Sequence, residues 1–406
     1  IPLAEEFFSM IGDGYHLIAT APMEIMRRQL GYPEYNNKPY VINAFESANE
    51  KDKAIQIISH ADVVVIGDAP EEYVTQRILR GCLTFRYHER WFKNKPWYLT
   101  GIRGWKNIYQ NHLRYINKPL YMLAASAYTA NDVYKIGAYK NKVFKWGYFT
   151  EVRENVVEKT LDVSMKKSIT ILWCARFLSW KHPELPIQLA KKLKDDEYDF
   201  HLDMIGIGEE LEKMKELAKQ LDLCDVISFL GSMPNNEVLS QMRSHEIFLF
   251  TSDKREGWGA VLNEAMSSGC AVVTSDKIGS TPFLINDGKN GLIFRSENLE
   301  SLYIKTKYLL DNPGQRRNIS NYALFTMKNI SAQALNIRAE ELTERFIRGD
   351  ISRSTEGSGL GLSIAQNLTT LQKGTFEIYL DGDLFKVQIG FSCLDVPQPE
   401  IEIQMR

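Results

Sequence analysis

Apolar positions in this chain cluster into short runs separated by stretches with helical spacing. In the second half, Ile169–Cys174, Leu202–Ile205, Val226–Leu230, Ile247–Phe250 and Ala271–Thr274 are short and mostly apolar. Pro183–Leu193, Glu209–Leu221 and Ala260–Ser268 lie between them and repeat their apolar residues at helical intervals. Short apolar strands alternating with helices predict a parallel sheet covered on both faces. The first part carries a weaker version of the same pattern. Tyr15–Ala19, Asp62–Ile66, Leu83–Phe85 and Tyr121–Ala125 read as strands, and Leu3–Met10 and Ala54–His60 as helices.

Around residues 150–168 the alternation lapses into polar and charged positions, which predicts a linker. The chain then divides into a first lobe over 1–150, a second lobe over 151–345 and a tail over 346–406. Residues 299–345 read as helix throughout. The expected class is α/β: two Rossmann-like lobes with an interlobe cleft, plus a carboxy-terminal helix and β-hairpin. Ligands of open α/β sheets bind beyond the carboxyl ends of the strands, so the cleft is where chemistry is expected. The chain opens at Ile1-Pro2 directly into a helix, whereas a doubly wound lobe opens on a strand; a first strand is therefore expected to be missing.

Composition narrows the partners. Of 406 residues, 49 are Lys or Arg and 51 Asp or Glu, for a net charge of −2, which argues against a nucleic-acid binder. The five cysteines (Cys82, Cys174, Cys224, Cys270 and Cys393) lack C-x-x-C spacing and mostly sit in apolar runs. They read as buried thiols of a cytoplasmic protein. No apolar run reaches the ~18 residues of a membrane span, and no secretory signal is visible.

Four features of the second lobe converge. Arg176 follows the strand Ile169–Cys174, and Lys181 comes five residues later; two cations beyond one strand suit a diphosphate. Gly206-Ile-Gly208 makes a glycine turn between strand and helix. Glu256-Gly257-Trp258-Gly259 follows the strand Ile247–Phe250 and precedes a helix containing Glu264. Glycines before a helix free amide groups for an anion. On one continuous helix Glu256 and Glu264 would stand ~12 Å apart, too far to act on one bond. Each is suited to a different hydroxyl-bearing part of an extended ligand. Gly279–Ile285 and Asp287–Phe294 form a turn-rich loop and a short strand.

The order Arg176…Lys181, Gly206-x-Gly208, Glu256-x7-Glu264, Ser268-Gly269-x-Ala271-Val272-Val273 and Asn290-Gly291-Leu292 resembles the carboxy-terminal lobe of glycosyltransferase family 4, of the two-lobed GT-B fold. The joint pattern covers 169–294, and a looser likeness runs from residue 1 to about 340. The resemblance implies a retaining, metal-independent hexosyltransferase with a nucleoside diphosphate sugar as donor and no separate cofactor. It implies that Arg176 and Lys181 bind the diphosphate and Glu264 the ribose. Glu256 and the backbone of Gly257, Trp258 and Gly259 would hold the sugar, with Gly206 at the donor turn. Family members often place a His of the first lobe opposite the donor sugar. His88 is the candidate here, with Glu89 and Arg90 as neighbours to weigh. The acceptor would be a glycan or a lipid-linked glycan. Aromatics and bases mixed between Phe85 and Tyr121, among them Arg103, Trp105, Lys106 and Tyr109, suggest acceptor contact or peripheral contact with the inner face of the plasma membrane. The alternative for that stretch is a partly buried helical pair with snorkelling bases.

The tail departs from this plan. Residues 346–392, with Gly357-Ser-Gly359-Leu-Gly361 and a hairpin turning at Asp381-Gly382, resemble the end of a sensor histidine-kinase ATP-binding domain. The earlier Asn-bearing helix and Asp-x-Gly-x-Gly loop of that family are absent from the sequence, so the tail is expected to be a fusion remnant that does not bind ATP. Competing readings are a nucleotide-sugar-binding protein without turnover, a sugar-nucleotide epimerase of the same fold, and a kinase fragment.

Overall fold

A computed structural model of the chain describes residues 2–25, 28, 35–93, 101–150 and 168–330, together with the backbone of 375–381 and 384–390. The chain divides into two units, Ile1–Ala332 and Gln333–Arg406.

The second lobe is built on six parallel strands: β7 (Ile169–Cys174), β8 (Phe200–Ile205), β9 (Ile227–Gly231), β10 (Ile247–Phe250), β11 (Ala271–Ser275) and β12 (Leu292–Phe294). Their spatial order is β12-β11-β10-β7-β8-β9. The chain starts in the middle, winds outward through β8 and β9, then returns to the other side of β7 as β10. The reversal between β7 and β10 is the topological switch point, where neighbouring loops leave in opposite directions and open a crevice.

The apolar runs of β7, β10 and β11 are continuous because these central strands are covered on both faces. Side chains alternate across a strand. Ile171, Trp173, Ile247, Leu249, Ala271 and Val273 therefore face one core, with Leu189 and Leu193 of helix α6 (Glu184–Asp195). Leu172, Phe248, Phe250 and Val272 face the other, with Leu262 and Met266 of helix α9 (Val261–Ser267). Pairing Ile247↔Ile171 and Phe248↔Leu172 keeps the two sets in register; a slip of one residue would exchange the faces.

The stretch expected as one helix over 299–345 is two within the described residues, α11 (Leu299–Asp311) and α12 (Pro313–Asn329). Pro313 is the physical reason. Its ring excludes the helical backbone bond at that position but suits a first turn, so the chain stops at Asn312 and restarts. The linker expected around 150–168 lies almost wholly outside the described residues, as does the tail helix.

The first lobe holds a four-stranded parallel sheet in order β3-β4-β5-β6: Val64–Ile66, Thr84–His88, Leu120–Ala124 and Val143–Lys145. A separate parallel pair joins β1 (Leu17–Ala19) to β2 (Val41–Asn43). The short strands β2 and β6 are too brief to leave a pattern in the sequence. Strand β4 runs to His88, three residues past the expected end, and so delivers His88 and Glu89 to its carboxyl edge. One apolar cluster, including Ile66, Ile78, Tyr115, Leu120, Met122 and Val133, fills this lobe. Buried Arg77 donates to the carbonyls of Ile58, Asp62 and Leu83, tying the end of a helix to two strand starts.

In the second unit, β13 (Thr375–Asp381) and β14 (Leu384–Gly390) pair antiparallel from Thr375↔Gly390 to Asp381↔Leu384, the hairpin strands read from the sequence. The Gly382 turn position lies outside the described residues.

Candidate functional site

The switch point gathers the second-lobe residues. Beyond β7 the chain passes Arg176 and makes a short 3-10 turn, Ser179–Lys181. Beyond β10 it passes Thr251, Ser252 and Asp253 before Glu256. The two loops are joined by hydrogen bonds. Trp173 Nε1 donates to Thr251 Oγ1 at 2.9 Å, and that hydroxyl donates to the Lys181 carbonyl at 2.7 Å. The Asp253 amide donates to the Trp180 carbonyl at 3.0 Å. Lys181 therefore has a fixed backbone. Its ammonium group pairs with Glu256 Oε2, which also accepts from Ser252 Oγ at 3.0 Å. Lys181 and Glu256 are both buried, and the ammonium lies 4.3 Å from the Trp180 ring centroid.

Arg176 behaves differently. It is exposed and has no acidic partner among the described residues. Gly206 lies beside it, at a φ of +136°. A Cβ there would collide with the Ala175 carbonyl. This glycine lets the β8 turn pass under the Arg176 loop, and that packing accounts for it locally.

The loop after Glu256 is shaped by two close approaches. Gly259 has a φ of +83°, the left-handed region that glycine tolerates, and a Cβ would strike the Phe250 ring. Gly257 has no room for a Cβ either, because Glu89 Oε2 and Lys93 Nζ of the first lobe occupy that space. The amides of Gly257, Trp258 and Gly259 donate no hydrogen bond among the described residues. Helix α9 begins only at Val261, so Glu256 lies on a loop and the continuous-helix spacing to Glu264 does not apply. The Trp258 side chain is buried between the lobes. It stacks on Tyr148 at 5.6 Å and donates to Asn263 Oδ1 at 2.8 Å, while Asn263 donates to the Tyr148 carbonyl at 2.9 Å.

Glu264 stands apart from the Lys181 pair. No hydrogen-bond partner for its carboxylate occurs among the described residues. Burial pushes its pKa up to about 7. Its charge reaches Cys174, whose thiol is pushed up to about 12, by burial first and then by Glu264. A half-buried carboxylate without a partner is costly unless a ligand supplies donors.

His182 is a site residue the sequence reading passed over. It has a φ of +50°. Nδ1 lies 2.7 Å from Glu184 Oε1 and Nε2 3.5 Å from Asp253 Oδ2. Burial alone would lower its pKa; the bonds to Asp253 and Glu184 outweigh that and raise it to about 9. Burial would raise Asp253, yet His182 and Arg255 hold it well below the usual carboxylate range. Ligand atoms of His182, Asp253 and Glu297 lie within 4.8 Å of one another, as a metal site would need. Arg255 already engages both Asp253 oxygens, and the raised pKa of His182 favours its cationic form at neutral pH. The group is thus arranged around its own cations.

In the first lobe, His88 ends β4 and is exposed; its ring lies edge-on to Trp91 at 5.6 Å. Desolvation by its neighbours lowers its pKa, and Nδ1 lies 2.7 Å from the Glu89 carbonyl. Glu89 is the residue that meets the second lobe. It pairs with Lys93, accepts from Tyr148 Oη at 2.6 Å, and borders Gly257. Its only sequence signal was its place next to a strand end. Around it the lobes are joined by the Ala127 amide, which donates to the Gly279 carbonyl at 2.9 Å, and by Tyr128 Oη, which donates to the Asp276 carbonyl.

The fold is the two-lobed GT-B arrangement of Rossmann-like lobes. Residues 160–324 match the family described as glycosyl transferases group 1. Over 170 residues the chain is 29% identical to the N-acetylgalactosamine-N,N'-diacetylbacillosaminyl-diphospho-undecaprenol 4-alpha-N-acetylgalactosaminyltransferase of Campylobacter jejuni, covering 42% of this chain and 45% of that one. The chain spans less than half the length of the curated relatives it first matches. Among solved structures, a glycosyltransferase from Rickettsia africae aligns with a TM-score of 0.61 at 16% identity, over 86% of this chain and 94% of its own. Anabaena Alr3699/HepE in complex with UDP aligns with a TM-score of 0.61 at 12% identity, over 85% and 96%. Among the described residues no helix is long and apolar enough to cross a membrane.

Proposed function

We propose that the chain is a retaining glycosyltransferase that moves a hexosyl unit from a nucleoside diphosphate sugar to a glycan or lipid-linked acceptor at the cytoplasmic face of a membrane. The carrying observation is the switch-point arrangement. Exposed Arg176 and buried Lys181 lie beyond one strand, Glu256 and three amides that donate no hydrogen bond among the described residues beyond the next, and Glu264 carries a carboxylate with no partner among the described residues.

In this reading Arg176 and Lys181 bind the diphosphate and offset the charge that grows on it, in place of a divalent metal. Gly206 keeps the donor turn close. Glu256 and the amides of Gly257, Trp258 and Gly259 take the sugar hydroxyls, and ionised Glu264 accepts from the ribose diol. His88 and Glu89 face the sugar from the first lobe, which serves the acceptor side. The bond from the anomeric carbon to the diphosphate oxygen breaks, and the acceptor oxygen bonds that carbon on the same face. The acceptor proton passes to the departing phosphate oxygen. The UDP-bound relative supports a nucleoside diphosphate donor, and the undecaprenol-linked substrate in the Campylobacter relative's name supports a lipid-linked acceptor.

A thermal-shift screen over nucleoside diphosphates and their sugars tests the reading. A selective rise in Tm with one nucleotide is expected, followed by release of that nucleotide when acceptor is added. No shift with any of them would refute the donor assignment.

A further inference from the structure

Asp132 is a buried carboxylate of the first lobe to which the transfer described above gives no task. It lies on the helix Thr129–Lys135 and is 1% exposed. Val133 and Ile136 enter the apolar core of the lobe. Thr129 and Asp132, three residues apart, share another side of the helix, and both are buried. That side receives the chain as it leaves β4.

The chain there is held on both sides of Glu89. Before it, the His88 carbonyl accepts from the Ala125 amide at 2.9 Å and from the Thr129 hydroxyl at 3.5 Å. After it, Asp132 Oδ2 accepts from the amides of Trp91 and Phe92 at 2.9 and 3.0 Å. Arg90 Nε lies 3.7 Å from the same oxygen. The Arg90 guanidinium also lies 4.7 Å from the Tyr128 ring centroid, and Tyr128 Oη donates to the Asp276 carbonyl of the second lobe.

Successive amides that converge on one point form a concave anion site, and here the protein supplies the anion. A neutral oxygen would satisfy buried amides. A carboxylate out of water is tolerated only when fully partnered, so its use points to a bend that must keep one shape. That bend delivers Glu89. Its Oε1 accepts from Tyr148 Oη at 2.6 Å, and its Oε2, paired with Lys93, fills the space beside Gly257.

We propose that Asp132 is a positioning residue: it fixes the backbone of Glu89 so that the Glu89 carboxylate meets the donor sugar at the Gly257 loop. The proposal rests on the transferase reading, in which Glu89 faces that sugar. Asp132 is buried and touches no ligand itself; it acts through the bend. The Glu89 side chain can still exchange partners, but its backbone cannot move away.

The test is calorimetric titration of the full chain with UDP-glucose and with UDP, or with the pair of sugar donor and free nucleotide that the thermal-shift screen selects. Asp132→Asn keeps the shape and loses the charge. It should weaken binding of the sugar donor about fivefold and change binding of the free nucleotide by less than about twofold. In a Glu89→Gln background the same change should weaken the donor no further, because the two residues act in series. Amide hydrogen exchange at Trp91 and Phe92 should quicken in Asp132→Asn with no nucleotide present. If that variant fails to fold, Asp132→Glu keeps the charge beside Arg90 and displaces the bend by one methylene, and the same selective loss is expected. Equal weakening of donor and nucleotide, the mark of a merely structural role, would overturn the proposal. So would unchanged affinity, unchanged exchange, or losses that add to those of Glu89→Gln. A parent chain that binds no sugar donor overturns the transferase reading and this role with it. A parent that binds donor, with a variant that binds it equally well, removes the role of Asp132 alone.

Discussion

Two lysine–glutamate pairs meet the Gly257 loop, one from each lobe, and they differ in how much water they keep. Lys181 and Glu256 retain 11% side-chain exposure each, whereas Lys93 and Glu89 retain 34% and 24%. The first pair is fixed by the sheet: its lysine ends a 3-10 turn pinned by Thr251, and its glutamate also holds Ser252. The second is an i,i+4 pair at the edge of a lobe, steadied by Tyr148. A buried pair is expensive to break because the survivor is left charged and dry. A wetter pair contributes little to stability and is freer to exchange partners. The contrast suggests a rigid second-lobe wall that sets donor geometry and a softer first-lobe wall that adjusts to what binds.

The largest expected effect tests the rigid wall. Lys181→Ala strands the Glu256 carboxylate and should cost about 3 kcal/mol in urea unfolding, with turnover falling by roughly a hundredfold or more. Lys181→Ala together with Glu256→Gln should recover most of the stability and none of the turnover. If the double change is no more stable than the single one, the two side chains are not coupled.

Next comes Glu264. Its raised pKa means the native state holds a proton between about pH 4.5 and 7 that the unfolded chain has lost, so its ionisation destabilises the fold as pH rises through that window. Glu264→Gln should therefore raise Tm by a few degrees at pH 8 and weaken nucleotide binding. In the parent chain, nucleotide affinity should increase as pH rises through about 7. Calorimetry giving a flat affinity from pH 6 to 8 would remove the ribose assignment.

For the softer wall, Glu89→Gln should change stability by less than about 1 kcal/mol while shifting KM more than kcat. An equal loss of both with Tm unchanged would make Glu89 part of the rigid machinery instead.

The smallest effect concerns His182. Its folded pKa is raised, so its contribution is fully present below the unfolded value near 6.5 and is lost as pH rises through about 9. His182→Gln should lower Tm by a few degrees at pH 6 and by almost nothing at pH 9.5. A constant difference across that range would mean the ring acts by packing alone.

The second lobe was readable because its central strands are buried on both faces, which writes continuous apolar runs such as Ile247–Phe250 into the sequence. Glycine spacing then placed Gly257 and Gly259 between a strand and a helix. The first lobe was less readable. Strands as short as Val41–Asn43 and Val143–Lys145 leave no periodic signal, and β4 runs past its apolar part to His88. Pro313 was visible in the sequence, yet the break it makes between α11 and α12 was overridden there by the surrounding helical spacing.

The sequence by itself determined the two-lobed α/β plan and set Arg176, Lys181 and Glu256 beyond the ends of their strands, because apolar period and glycine position act within a few residues of the chain. Only the tertiary structure decided which charges meet. Lys181 lies 75 positions from Glu256, and Glu89 is farther still from Gly257. Such partners are chosen by strand order and lobe contact, and no local pattern encodes them. The same holds for Glu264, whose carboxylate, without a partner among the described residues, owes that to the space folded around it.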